Sequence, residues 1–191
     1  MSFEWANAIC RSWGNTNAKE LLEYLMSQPE CPPFGPVHHY LVGAALITCA
    51  RESNKGALLD ERLHALEKQA VQIPGAVCAK WGICGAALSC GIAYSILAET
   101  SPVKAKGWSE GQQITAAISQ QIAHAGAPRC CKRDSRIAIH EASKLFNQAF
   151  GLGLDTSQDV LKCDLIETNN VCIQEQCPFF ARSVVKNSVN N

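Results

Sequence analysis

The pattern of hydrophobic and polar positions has a helical period along nearly the whole chain. Apolar residues recur three and four positions apart, which places them on one face of an α-helix, and strands are hard to place anywhere. The pattern predicts an all-α fold, a single-domain bundle of about six to seven helices with cysteine-bearing loops and a cysteine-bearing tail. The clearest apolar stripes run along residues 21–26, 40–48, 59–70, 86–98, 114–125 and 138–149.

Chain length and turn residues set the predicted organisation. At roughly 150 residues per domain, the 191 residues form one compact domain. We expect an N-terminal helix region at 1–30, a core at 31–150 and a tail at 151–191 that begins with a polar linker. Within the core, Ser109 with Gln112 three residues later resembles a capping box and predicts a helix start.

One segment tests whether the chain crosses a membrane. Trp81 to Ala98 is 18 residues long without a charge, the lower limit for a span. Three glycines and two serines dilute its apolar character. We therefore expect a central helix that packs tightly through small residues, and no membrane partner.

Composition excludes two further classes of protein. Hydrophobic residues make up 47% of the chain and charged residues 18%, so it can bury a core and is not disordered. Seventeen basic residues balance seventeen acidic ones. This balance lacks the basic excess of proteins that bind nucleic acid or anionic membranes, so we expect neither partner.

Eleven cysteines are the unusual feature of the composition. Such a number indicates either an oxidised secreted scaffold or a reduced protein that uses thiolates for metal binding or chemistry. The first residues include Glu4, Asn7 and Arg11, which interrupt any apolar stretch of signal-peptide length. An odd count also prevents complete pairing. We therefore expect a cytoplasmic protein with reduced cysteines, with a disulfide framework as the alternative.

Most of the cysteines lie in groups along the chain. Cys10 and Cys49 are expected in the core, because a buried free cysteine behaves as a small hydrophobe. Cys90 is expected there too, since on one helix it lies about 120° around the axis from Cys84. The remaining groups are Cys78 with Cys84, Cys130 with Cys131, and Cys163 with Cys172 and Cys177, while Cys31 stands beside two prolines.

Cys130 and Cys131 stand at a predicted helix start among the cations Arg129, Lys132 and Arg133. Unpaired backbone N–H groups and cationic side chains both favour a thiolate over a thiol. Either cysteine therefore suits a metal ligand or a nucleophile. Two incidental thiols on a surface helix are the alternative.

The tail segment from Cys172 to Phe180 has C-x4-C spacing followed by Pro178. Cys-Pro pairs occur in ferredoxin-type cluster loops. The chain has no C-x2-C pair, and zinc-ribbon and zinc-finger spacings are absent. Cluster or metal binding is therefore indicated by the number and grouping of the cysteines and not by a known spacing.

His38 and His39 follow Pro36 at another predicted helix start. The positive end of a helix lowers the basicity of imidazole and leaves it neutral, able to bind a metal or accept a proton. Only one of two adjacent side chains normally points inwards. We therefore expect at most one of the pair to matter, and a structural role is the alternative.

Four motifs stand out along the chain. They are, in order, CPPFGPVHH at 31–39, WGICGAA at 81–87, GAPRCCKR at 126–133 and CIQEQCPFF at 172–180. Together they resemble a small cysteine-rich domain of unknown function found in anaerobic bacteria and archaea, sometimes appended to methyltransferase-like proteins. The similarity covers about residues 31–180 and implies no established activity, but it favours an anaerobic, reduced setting.

The leading hypothesis is a cytoplasmic iron–sulfur protein whose cluster, of the 4Fe–4S type, is bound by thiolates from separate parts of the chain. If only three cysteines bind, an open iron could act on a small molecule by redox or sulfur-transfer chemistry. The predicted metal ligands are Cys84, Cys131, Cys172 and Cys177. Further residues predicted to contact the cofactor are Cys31, His38 and Cys78. The residues assigned to catalysis are His39, Cys130, Lys132 and Arg133.

Two other functions remain open. One is a zinc-binding structural or partner-binding module without catalysis. The other is a metal-free thiol enzyme that uses Cys130 or Cys131 as its nucleophile. The expected partner is a small-molecule substrate, or a methyltransferase-like or redox protein, and whether the protein is an enzyme is left open.

Overall fold

The computed structural model describes residues 2–50, 56–157, 163 and 169–180. Within these ranges the chain forms eight α-helices and no strand, which confirms the all-α prediction. A 3-10 turn, Gln174–Gln176, lies in the tail. The helices are α1 Glu4–Ser12, α2 Ala18–Met26, α3 His38–Cys49, α4 Gly56–Ala70, α5 Val77–Lys80, α6 Gly85–Leu97, α7 Trp108–His124 and α8 Cys131–Phe150. The single-turn α5 lies in the glycine-rich segment where no helix was predicted.

Helix α3 is the centre of the bundle. It contains no Asp, Glu, Lys or Arg and is buried along its whole length, as expected for a helix that is apolar nearly all round. Helices α1, α2, α4, α6 and α8 all pack against it. The closest approach is to α6, where the Gly43 N–H donates a 2.9 Å hydrogen bond to Ser89 Oγ. A Cβ at Gly43 would lie only 2.8 Å from that oxygen, so this crossing requires glycine.

Most of the uncharged segment 81–98 forms α6, a helix of 13 residues in the bundle interior that begins at Gly85. Its inward face carries Ala87, Cys90 and Ala93, each fully buried. In the part of the chain that the structure describes, no helix combines the length and the apolar content needed to cross a bilayer. The small residues of α6 therefore serve close helix packing, as predicted.

The predicted capping box at Ser109 and Gln112 is wrong. Helix α7 begins at Trp108, and the backbone N–H of Gly107 donates to Glu110 Oε2 at 3.0 Å. Gly107 has φ = +89°, a left-handed conformation that glycine adopts without strain. The N-cap residue of α7 is therefore Gly107, two residues before the predicted Ser109.

The first turns of α8 are buried although they are highly charged. Arg136 is 5% exposed and forms a two-bond ion pair with Glu23 of α2, with both N···O distances 2.7 Å. Arg133 is 2% exposed, pairs with Asp134 at 3.1 Å, and donates to the Gly126 carbonyl at 2.7 Å. Buried charges persist only when paired in this way. These contacts hold the start of α8, and hence Cys130 and Cys131, in place.

Candidate functional site

The three cysteines that were predicted in the apolar core, out of eleven in the chain, are buried there. Cys10 and Cys90 are fully buried and Cys49 is 3% exposed, which confirms that part of the sequence interpretation. Cys90 lies on the inward face of α6, with its sulfur 3.9 Å from the Ala138 carbonyl oxygen. The other eight cysteines lie in or beside two cavities that share the start of α8.

The first cavity, called here the tail cavity, is lined by Cys130, Cys163, Cys172 and Cys177 together with Arg133 and Arg136. Cys130 is the N-cap residue of α8. The 3-10 turn separates Cys172 from Cys177 and turns the chain so that both line the same space. The Cys163 N–H donates to the Phe179 carbonyl at 2.9 Å, and this bond joins two parts of the tail.

Polar hydrogens surround the sulfur atoms of the tail cavity. The Asn169 side-chain amide lies 3.8 Å from Cys130 Sγ, and the Gln174 backbone N–H lies 3.4 Å from Cys172 Sγ. Burial acts to lower the pKa of Arg136, but its hydrogen bonds to Glu23 and Cys163 outweigh burial and raise it. The Arg136 guanidinium therefore stays charged beside the Cys163 sulfur.

Burial controls the protonation of two thiols in this cavity. It raises the pKa of Cys130, and the opposing effect of the Arg133 backbone at the helix start is too small to reverse that. Burial also raises the pKa of Cys177. The helix start and its cations were expected to favour a thiolate at Cys130. That expectation is wrong for the metal-free protein, because removal of the sulfur from water outweighs the helix end.

The second cavity, called here the histidine cavity, is lined by His38, His39, Cys78, Cys84, Cys131 and Asp134, with Arg129 and Ser135 at its side. Its donors come from the beginnings of helices. His38 and His39 open α3, Cys84 is the N-cap residue of α6, and Cys131 is the first residue of α8. Cys78 joins them from α5.

Both histidines face inwards, whereas at most one was expected to matter. His38 is 2% exposed and His39 is 8% exposed, and both line the cavity. Space for the His39 ring depends on Gly85, because a Cβ at that position would overlap the ring. The sequence interpretation missed the inward position of both rings, because the space for His39 is provided by Gly85 of another helix and not by the His-His pair itself.

The two imidazoles are neutral at physiological pH. Burial lowers the pKa of His38 to about 4, and it also lowers the pKa of His39, where the Ile73 backbone acts in the opposite direction. His38 Nδ1 lies 3.1 Å from the Gly35 carbonyl oxygen, so Nδ1 carries the hydrogen and Nε2 holds the lone pair. That Nε2 lies 3.8 Å from Cys31 Sγ.

Charged groups contact the thiols of the histidine cavity. Arg129 donates to Cys131 Sγ at 3.3 Å. Cys84 Sγ lies 4.0 Å from Asp134 Oδ2, and burial together with that carboxylate raises the pKa of Cys84 to about 12. Burial also raises the pKa of Asp134, although its ion pair with Arg133 acts against this. Cys84 is therefore a neutral thiol while no cation is bound.

Cys31 lies beside the histidine cavity and does not line it. Lys132 donates to Cys31 Sγ at 3.2 Å and to the Met26 carbonyl, and burial raises the pKa of Cys31. Cys31 and Lys132 instead line a third cavity with Glu23 and Arg136. Lys132, which was assigned to catalysis, lines neither the tail cavity nor the histidine cavity.

The four predicted metal ligands are thus divided between two sites. Cys84 and Cys131 line the histidine cavity, while Cys172 and Cys177 line the tail cavity. Cys131 shares no cavity with the tail cysteines, whereas its neighbour Cys130, the extended N-cap residue of α8, does. Of the other predicted residues, Cys130 and Arg133 line the tail cavity and His39 lines the histidine cavity.

Several lining residues were absent from the sequence prediction. Cys163 had been grouped with Cys172 and Cys177 but not chosen as a ligand, and that grouping was the available signal. Nothing in the sequence marked Arg136 or Asp134. Among the described residues, no three Cys, His, Asp or Glu side chains are placed so that together they could hold one metal ion. Whether any of these residues binds a metal stays a prediction.

Comparison with known proteins places the chain in a family. It matches the family of unknown function DUF5714 over residues 6–180. The chain belongs to this family. The resemblance to a domain-of-unknown-function family is confirmed, while the anaerobic distribution and the methyltransferase fusions stay predictions. No curated protein matches the chain. No solved structure matches it either.

Proposed function

We propose that this DUF5714 protein is an iron–sulfur protein whose cluster is bound by Cys130, Cys163, Cys172 and Cys177. One observation supports the proposal: four cysteines from three separate segments line one small cavity. Four thiolates are the usual ligand set of a 4Fe–4S cluster. The ligands differ from the predicted set because Cys84 and Cys131 line the other cavity.

Hydrogen-bond donors in the surroundings suit this cluster. Arg133 and Arg136 line the cavity, and both are nearly inaccessible to water. Each is already ion-paired with a carboxylate, Arg133 with Asp134 and Arg136 with Glu23, so they offer N–H groups to sulfur and no uncompensated charge. The Arg136 guanidinium also lies 5.6 Å from the centre of the Phe179 ring, so the same cation contacts the tail and its cysteines.

Cluster binding requires the thiols to lose their protons. Burial raises the pKa of Cys130 and Cys177, so the empty cavity holds thiols, and iron must displace their protons. A cluster is also wider than a single ion, so its ligands surround a larger volume than a mononuclear metal site. In our proposal the side chains rotate inwards as the cluster assembles.

A cluster in this setting carries electrons. Thiolate-bound clusters gain and lose one electron at a potential set by burial, charge and hydrogen bonds to sulfur. The amide of Asn169 and the N–H of Gln174 supply such contacts. The proposed partner is a redox protein or a small oxidisable molecule in a reducing, cytoplasmic compartment. Sulfur transfer to a small molecule is a second form of the same proposal.

The test is the iron and acid-labile sulfide content of protein purified without oxygen, with its visible and electron paramagnetic resonance spectra. We expect iron and sulfide in equal amounts in the wild type and neither in Cys172→Ser/Cys177→Ser. Cys90→Ala is the matched control, because Cys90 is buried in the core and lines neither cavity. Sulfide that persists in the double variant would contradict the assignment. Zinc without sulfide in this cavity would establish the zinc module instead.

The metal-free thiol enzyme receives less support. A nucleophilic cysteine needs a lowered pKa, and burial raises that of Cys130. Arg129 does donate to Cys131 Sγ, so Cys131 is the remaining candidate for such chemistry. Selective alkylation of Cys131 at neutral pH, in protein shown to be metal-free, would favour this function.

A further inference from the structure

We propose that the histidine cavity is a second metal site, which binds one thiophilic divalent cation of the zinc class through Cys78, Cys84, Cys131 and His39. This inference does not rest on the iron–sulfur proposal, because the two cavities share no cysteine. It accounts for thiols that the tail cavity leaves unused.

The donor types point to the class of metal. Three cysteines and an imidazole form one of the ligand sets that bind structural zinc. Thiolate and imidazole ligands select zinc and similar cations over magnesium or calcium, which prefer oxygen. The alternative imidazole, His38, already has its Nε2 beside Cys31 Sγ at 3.8 Å. His39 is therefore the nitrogen ligand.

Two buried polar atoms at the cavity indicate a missing partner. In the described part of the chain, His39 Nδ1 and Ser135 Oγ have no hydrogen-bond partner. Both residues line the cavity; Ser135 is fully buried and His39 is 8% exposed. A buried polar atom without a partner is costly. A cation bound through Nδ1 satisfies the imidazole directly, and a water held beside that cation satisfies the serine.

The charges balance when the cation is present. Three thiolates with one divalent cation leave one negative charge in excess, and the Arg129 guanidinium 3.3 Å from Cys131 Sγ compensates it. Arg133 independently balances Asp134 at 3.1 Å. Without a cation, Cys84 stays a neutral thiol, because burial and the Asp134 carboxylate raise its pKa. The histidine cavity is therefore neutral with the metal bound and its cysteines deprotonated.

Two of the donors stand at the starts of neighbouring helices. Cys84 is the N-cap residue of α6 and Cys131 the first residue of α8, and these two helices pack against each other. Among the described residues no three donors lie close enough together to hold one ion, so in our proposal the donor side chains reorient on binding, and the Cys84 sulfur turns away from Asp134.

The first experiment measures zinc, iron and sulfide together on the full chain purified without oxygen. We expect one zinc per chain in the wild type. Cys84→Ser/Cys131→Ser should lose the zinc, whereas Cys172→Ser/Cys177→Ser should keep it. Zinc that persists in Cys84→Ser/Cys131→Ser overturns the second site. A second result would also overturn it. If the wild type holds no zinc and Cys84→Ser/Cys131→Ser loses iron and sulfide, the histidine cavity holds a cluster instead of zinc.

The two proposals fail separately in this design. Zinc that depends on Cys84 and Cys131, in protein without sulfide, removes the cluster and keeps the second site. Sulfide that depends on Cys172 and Cys177, with no zinc in the wild type and none taken up, removes the second site and keeps the cluster.

A second measurement covers the case in which the double variant does not fold. Metal-free full-length protein is titrated with Co²⁺, which reports thiolate ligands by charge-transfer absorption and a tetrahedral site by its visible bands. We expect His39→Gln to keep the charge-transfer band and to shift the visible bands, because one nitrogen ligand is replaced. Helix content from circular dichroism is compared with the wild type. Unchanged visible bands in a folded His39→Gln protein overturn the ligand assignment.

Discussion

The tail cavity and the histidine cavity share the start of α8 but are built from different kinds of structure. The histidine cavity takes its donors from the beginnings of α3, α5, α6 and α8, elements that the bundle core holds in place. The tail cavity takes three of its four cysteines from residue 163 and from 169–180, and the regular structure within these described residues is a 3-10 turn. The first cavity is therefore positioned by helix packing, whereas the second is positioned by turns and by the contacts of the tail with α8.

The comparison predicts very different thiol reactivities in metal-free protein. The pKa of Cys84 is raised from 9.0 to about 12, so near neutral pH it carries about a thousandfold less thiolate than an unperturbed cysteine. Cys172 and Cys84 are both partly buried, so exposure alone does not separate them. We expect iodoacetamide to label Cys172 long before Cys84, as followed by peptide mass spectrometry. Equal labelling rates in folded protein would show that the histidine cavity is open to solvent.

The same raised pKa gives a stability change at alkaline pH. A thiol whose folded-state pKa lies above its unfolded value stabilises the fold fully below pH 9, and this contribution is lost as the pH rises from 9 towards 12. We expect the free energy of unfolding of metal-free protein to fall over this range, and to fall less in Cys84→Ala. Denaturant titrations at several pH values measure the difference.

The largest effect of a single substitution on stability is expected at the ion pair beside the tail cavity. Glu23→Ala leaves the Arg136 guanidinium buried without its carboxylate, which should cost about 3 kcal/mol of unfolding free energy. Glu30→Ala removes the same charge from an exposed position and should change stability by no more than about 0.5 kcal/mol. Similar stabilities for the two variants would contradict the role of the ion pair.

A comparable effect is expected from His38 on the other side of α8. Burial lowers its pKa from 6.5 to about 4, so the folded state binds a proton less readily than the unfolded state. The stability that this confers is present above pH 6.5 and is lost as the pH falls towards 4, by about 3 kcal/mol. His38→Gln should flatten this dependence. His124→Gln, at an exposed position, should leave it unchanged.

The smallest effect is expected where His39 packs on α6. A Cβ at Gly85 would overlap the His39 ring, so Gly85→Ala should cost about 1–2 kcal/mol and displace the imidazole from the cavity. Zinc content should fall while sulfide content stays constant. Gly153→Ala is the control, because a Cβ there meets nothing within 4 Å. If the Gly85→Ala protein keeps full stability and unchanged zinc content, His39 is not a ligand of the zinc.

Much of the fold was accessible from sequence because its physical cause is local. Apolar residues at helical spacing predicted α2, α3, α4, α6, α7 and α8, and the uncharged composition of α3 and α6 explains their burial. The start of α8 after Pro128 was predicted as well. The start of α7 was not, since Gly107 rather than Ser109 begins the helix. The one-turn α5 lacks the length that a periodic pattern requires.

The candidate sites were predicted in part. The sequence singled out Cys84, Cys131, Cys172 and Cys177, and each lines a cavity. The sequence analysis assigned these four cysteines to one metal site, because positions along the chain do not show which way each side chain points. Cys130 and Cys131 are adjacent in the chain, yet each lines a different cavity.

The sequence by itself determined the helical bundle, the buried central helices and the residues able to bind a metal, because periodicity and side-chain chemistry are properties of the chain. Only the tertiary structure decided which of those residues meet. The packing of α3, α6 and α8 places Cys84 and Cys131 in one cavity and turns both histidines inwards. It also brings Arg136 into contact with the tail. Packing brings together residues far apart in sequence, and it sets which thiols lose their contact with water.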